Sequence, residues 1–261
     1  MFFSLSSATL ALIVVGVIGA ATATGVLLGR RLRHHSEVLR EPFGVLQGAL
    51  LGVVGLILAF GLSLAVGRYE GRRTAVVDEA NAIGTTYLRA QLIAEPARTR
   101  SLALLREYTD LAIRLAHDVP SSSDMRRTAA EEAVVQRRLW RLADEALDAE
   151  PVASGPRLYV DSLNTMIDMQ TVRISGLNNR VPGAVLALEV IGAAIALGLL
   201  GLFLSVLGRG LLPIVFAAAL VSMLLLVTFD LDRPVRGLIT VPATPLESLR
   251  ASMELPPAAG P

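Results

Sequence analysis

Four long apolar runs constrain this chain more than any other feature. Residues 8–29, 43–67, 184–208 and 211–229 are almost free of charge. Each is long enough to cross a hydrocarbon layer, which takes about 20 residues of helix at ~1.5 Å rise per residue. A mean hydropathy of +0.57 with only 18% charged residues is reached through such runs. They predict an all-α integral membrane protein with four transmembrane helices. In the first run Ala21-Thr22-Ala23 resembles a signal-peptide cleavage site, but the residues before the run carry no positive charge and the run is over-long for a signal. It is read as a membrane helix.

Between the second and third runs, residues 68–183 hold 16 Arg and 16 acidic residues, a water-exposed layer of zero net charge. Its punctuation at Glu95-Pro96, at Pro120 with Ser121 to Asp124, and at Pro151 to Pro156 divides it into helices at 68–93, 96–118, 124–149 and 156–180. Val76, Ala80, Ile83 and Tyr87 recur at helical spacing in the first of these, as do Tyr159, Leu163, Met166, Ile174 and Leu177 in the last. These amphipathic helices predict a helical bundle inserted between the second and third spans. The second and third spans are expected to run on into it as long helices. No strand pattern is present. The domain organisation read this way is a first transmembrane hairpin at 1–67, a helical domain at 68–183, a second hairpin at 184–229 and a C-terminal tail at 230–261, disordered over its last ten residues.

Charge and residue types exclude several functions. All 24 cations are Arg, balanced by 23 acids, so no excess positive field is present to hold nucleic acid. The chain has no Cys, hence no disulfide, thiolate metal site or cysteine nucleophile. There is no phosphate-binding Gly loop, no paired His ligand motif and no nucleophile elbow. No enzyme activity and no cofactor are expected. His34 and His35 lie in an Arg-rich loop that predicts contact with anionic lipid headgroups.

Three constellations remain. On the second span Gly44, Gly48, Gly52, Gly55, Ala59, Ser63 and Gly67 share one helix face, and Gly198, Gly201, Ser205 and Gly208 make a shorter stripe on the third. Small residues let helix backbones approach closely in lipid. The longer stripe either packs against helices of its own chain or faces an identical helix or a narrow pore in an oligomer. Glu189, near the start of the third span, is the only ionisable residue inside a span. It either reaches the headgroup zone from the first turns of its helix or serves a pore or a relay. After the second span, Asp78, Asn81, Thr85 and Arg89 form a polar stripe, matched on the last bundle helix by Asn164, Asp168, Thr171, Ser175 and Asn178. These stripes are solvated surface, or they face each other, with Arg89 or Arg173 neutralising Asp78 or Asp168. A hard-cation site from Asp78, Glu79, Asp161 and Asp168 fits by ligand type but by no known loop spacing.

The segment Val77 to Ala90, with Asp78, Glu79, Asn81 and Arg89, resembles the hallmark of bacterial membrane proteins classed as bestrophin-like. The segment Ser162 to Asp168 and the run Asp230-Leu231-Asp232-Arg233-Pro234-Val235-Arg236-Gly237 are similar to two more features of that family. The resemblance covers most of residues 43–253. It implies a distant relation to bestrophins, which are pentameric anion channels with four spans and a cytosolic helical region between spans two and three. It therefore implies a homo-oligomer among membrane lipids, a cell-membrane location, small anions as the permeant species, and a cytoplasmic helical domain. The charges leave the orientation open. Four Arg in residues 30–41 favour that loop as cytoplasmic, and Arg on the opposite flanks favour the reverse. Two functions follow. In one, copies assemble around the second span, with Arg68, Arg72 and Arg73 as a ring of positive charge at one mouth. In the other, the protein is a nonconducting scaffold or sensor whose helical domain binds a partner.

Overall fold

The computed structural model describes residues 6–32, 36–119, 122–233, 235 and 237–256. Eight helices run in order: α1 Ser7–Arg31, α2 Ser36–Ala90, α3 Ala97–His117, α4 Ser123–Ala149, α5 Ser154–Asn178, α6 Gly183–Val206, α7 Leu212–Leu231 and α8 Thr244–Ser252. The chain is an all-α membrane protein, and α1, α6, α7 and the apolar part of α2 are its four spans. His34 and His35, Pro120 and Ser121, Pro234 and Arg236, and residues 257–261 of the predicted tail lie outside the described residues.

The chain forms two compact units, Met1–Arg68 with Arg180–Ile239, and Tyr69–Asn179 with Thr240–Pro261. In the first unit α1 and α6 run parallel with their backbones in contact. A Cβ on Gly25 would overlap the Gly198 carbonyl, one on Gly29 would overlap the Leu202 carbonyl, and one on Gly201 would sit 2.8 Å from Thr22 O. The short stripe on the third span thus serves close intrachain packing, and its partner is a second stripe on α1. Gly208 ends α6 at φ 69°, a left-handed conformation that favours glycine, with Arg209 N donating to Leu204 O at 3.0 Å. The chain turns at once into α7, with Pro213 in its first turn.

One sequence expectation fails at the third span. The helix does not run through from α5. Residues 179–182 are non-helical, because Pro182 has no N–H to donate and forces the residues before it towards extended conformations. The Val181 N–H is held instead by Asp232 Oδ1 at 3.0 Å. The second span does run on, as the single 55-residue helix α2.

In the second unit the core gathers Ile83, Leu105, Tyr108, Leu139, Tyr159, Leu163 and Met166, all fully buried. Residues 244–252, read from sequence as tail, form α8 and seal this core with Leu246. The carbonyl of Met253, just beyond α8, accepts hydrogen bonds from Tyr87 Oη at 3.1 Å and Arg106 Nη2 at 2.8 Å. Arg250 on α8 pairs with Asp110 of α3 at 2.8 Å.

Candidate functional site

Most of the long small-residue stripe lies on a face of α2 that the described residues leave uncovered. Among the described residues no atom lies within 4 Å of a Cβ built on Gly48, Gly52, Gly55 or Gly67, and Ala59 and Ser63 are exposed. Only Gly44 meets a neighbour, the Phe203 ring at 3.4 Å. The opposite face of α2, with Val54, Leu58, Gly61 and Ala65, is the buried one. Among the described residues, Gly48, Gly52, Gly55 and Gly67 thus have no packing partner in their own chain, while Gly44 has one.

Glu189 is on neither the surface nor the stripe. Its side chain is fully buried, and among the described residues neither carboxylate oxygen has a hydrogen-bond partner. It lies against Gly61, where a Cβ would overlap the carboxylate. The expectation that Glu189 reaches the headgroup zone does not hold.

The three arginines after the second span separate. Arg72 is 3% exposed, and its Nη1 donates to Asn179 O at 3.4 Å, so it cannot contribute a free charge to a mouth. Arg73 is exposed, 3.7 Å from Glu70. Arg68 is half-buried and engaged in polar contacts.

The first polar stripe faces α5, but the α5 residues it meets are not those of the second stripe. Asp78, Asn81, Thr85 and Arg89 line an open groove of about 410 Å³ with Asp161 and Thr165. There Arg89 donates to Asp161 at 3.0 Å and to Leu158 O at 2.9 Å. Asp78, Asn164 and Asp168 are exposed, and among the described residues neither aspartate has an arginine partner. The expected pairing through Asp78 or Asp168 is thus corrected. The buried pair one residue along α2 is Glu79 with Arg173, and Arg173 Nη2 also donates to Ala112 O at 2.7 Å.

A polar network continues from this pair. Gln170 donates to Glu132, Gln136 donates to Gln170 at 2.9 Å, and Gln136 also donates to Tyr108 Oη at 3.4 Å. Burial pushes the Glu132 carboxyl up to about 7, with the Gln170 bond pulling it down and the Glu79 charge adding to the rise. Burial likewise holds the Tyr108 hydroxyl well above its ordinary value. Glu132, Gln136 and Gln170 escaped the sequence reading. The available signal was that Glu79 and Arg173 fall in phase with the apolar faces of their helices, and a charge there requires a partner.

The acids after the last span are occupied by backbone. Asp230 accepts from Leu238 N at 2.9 Å and Ile239 N at 2.8 Å, Asp232 holds Val181, and Arg233 is buried. Among the described residues no group of three or more His, Asp or Glu side chains could hold a metal ion.

Against this geometry, the sequence matches the bestrophin-like domain over residues 10–246. The chain belongs to the bestrophin-like family. Its fold is that of crystal structures of a bacterial bestrophin homologue from Klebsiella pneumoniae. One single-substitution form superposes with a TM-score of 0.68 at 15% identity, covering 90% of this chain and 97% of that one. Another gives 0.65 at 18% identity, covering 92% and 95%. No curated protein matches in sequence. For a bestrophin-like chain the Val77 to Ala90 segment now has a physical content, since it supplies Glu79 to the buried ion pair and Arg89 to the groove.

Proposed function

We propose that copies of this chain assemble around the membrane part of α2 and form a pore for small anions, with the helical unit on the cytoplasmic side. The observation that carries this reading is the uncovered face of Gly48, Gly52, Gly55, Ala59 and Ser63. Small residues facing acyl chains gain little dispersion contact, whereas against another copy they permit close approach or leave a lumen. Membership of the bestrophin-like family supports the same reading. Arg73 and Arg68 are the mouth charges in this scheme, and Arg72, buried in its own unit, is not one of them. Purified protein reconstituted in planar bilayers gives an anion-selective current that falls on Arg68→Gln with Arg73→Gln. A protein that forms no oligomer and passes no current is instead a nonconducting scaffold or sensor.

A further inference from the structure

An apolar groove of about 770 Å³ runs between α1 and α7, lined among others by Gly19, Ala23, Leu27, Leu211, Val215 and Ala219. Along α1 it extends from Val15 to Leu27. At ~1.5 Å per residue that is about 18 Å, close to one leaflet of a hydrocarbon core ~30 Å thick. The hydroxyl of Thr22 in its wall is already spent on Ile18 O at 2.7 Å. The groove thus offers contact to hydrocarbon and almost no hydrogen bonding.

One end of it is strongly cationic. Because α1 and α6 run parallel, with Gly29 against Leu202 and Ser205, the last turn of α1 and the turn from α6 to α7 reach the same face of the membrane. Arg30, Arg31 and Arg209 are exposed there, beside Leu27 and Leu211. None of the three pairs with a carboxylate among the described residues. In the sequence, residues 30–41 carry Arg at 30, 31, 33 and 40 against Glu at 37 and 41. Glu189, Asp230 and Asp232 belong to the other face.

We infer that this groove is a binding site for one anionic phospholipid, an acyl chain lying between α1 and α7 and the phosphate held by Arg30, Arg31 and Arg209. A hydrocarbon chain matches the length and dryness of the groove. An anionic headgroup matches the charge at its end, and Arg binds phosphate through paired N–H donors.

The test uses delipidated full-length protein in neutral detergent and reads thermal unfolding and lipid retention by native mass spectrometry. Phosphatidylglycerol is expected to bind and stabilise, phosphatidylcholine to do so far less, and inorganic phosphate not at all. Replacing Arg30, Arg31 and Arg209 by Gln weakens phosphatidylglycerol binding roughly a hundredfold, given the contribution of each cation at an anionic lipid surface. Gly19→Trp fills the groove without touching the charges and is accommodated, since nothing lies within 4 Å of a Cβ there. It abolishes the stabilisation while the variant unfolds at its normal temperature without lipid. Arg209→Gln alone, at a surface turn, serves if the triple variant fails to fold. Equal binding of the two lipids overturns the inference. So does phosphatidylglycerol binding that is unchanged by Gly19→Trp, full stabilisation by inorganic phosphate, or cross-linking from position 19 that captures only another protein chain.

Discussion

Glu189 of α6 occupies the space that any side chain at position 61 of α2 would need. The carboxylate lies over Gly61, fully buried and without a hydrogen-bond partner among the described residues. Gly61→Ala therefore has to displace it. The expected cost is about 1–3 kcal/mol, in the range of overpacked sites. In a Glu189→Ala background the same substitution costs much less, because the overlapping atoms are gone. A double-mutant cycle on detergent-solubilised protein measures this, and additive effects would show that the two residues do not meet.

Glycines of equal number of atoms differ by what faces them. Gly25→Ala places a methyl group onto the Gly198 carbonyl and must part α1 from α6, so folded yield falls sharply. Gly52→Ala meets nothing in its own chain and leaves monomer stability unchanged. Gly52→Leu, on the face proposed to line the lumen, narrows it, so the anion current falls while the oligomer seen by size-exclusion chromatography with light scattering and the unfolding of isolated subunits stay as they were.

Removing Arg173 leaves Glu79 buried and unpaired. Arg173→Met is expected to cost about 3–5 kcal/mol, whereas the double replacement of Glu79 and Arg173 by Met recovers most of it. Arg89→Met breaks a partly exposed pair and costs less than ~1 kcal/mol. Chemical denaturation of the three variants separates the cases.

Glu132 makes stability depend on pH. Its carboxyl is raised from 4.5 to about 7 in the folded protein. Between these values the folded state holds a proton that the unfolded state has released, so stability falls as pH rises. The contribution is complete below about 4.5 and is lost as pH passes about 7, on the order of 3 kcal/mol in all. Glu132→Gln flattens this slope in unfolding curves taken from pH 4.5 to 8, and an unchanged slope in that variant contradicts the assignment.

The helices were legible because length and apolar content alone separate a span from an amphipathic helix. α8 was not, since nine residues carry little periodicity and only Leu246 within it is buried. The break before α6 was written in Pro182, whose tolerated place in a first turn also permitted the opposite reading. The polar residues were harder. Asp78 and Glu79 are neighbours in sequence and point to opposite environments, and only the phase of Glu79 with Val76, Ala80 and Ile83 marks it as the buried one. Arg72 looked like its neighbour Arg73, and only the packing of α5 against it removes its charge from the surface.

The small-residue face of α2, proposed to line a pore, is directly accessible to measurement because the chain has no cysteine. Ala59→Cys on that face and Leu12→Cys on the exposed side of α1 are reconstituted in planar bilayers and treated with a charged, membrane-impermeant thiol reagent. The predicted result is that the anion current through Ala59→Cys is blocked and that through Leu12→Cys is not. Current that persists unchanged through treated Ala59→Cys, with modification verified by mass spectrometry, would show that this face does not line the pore.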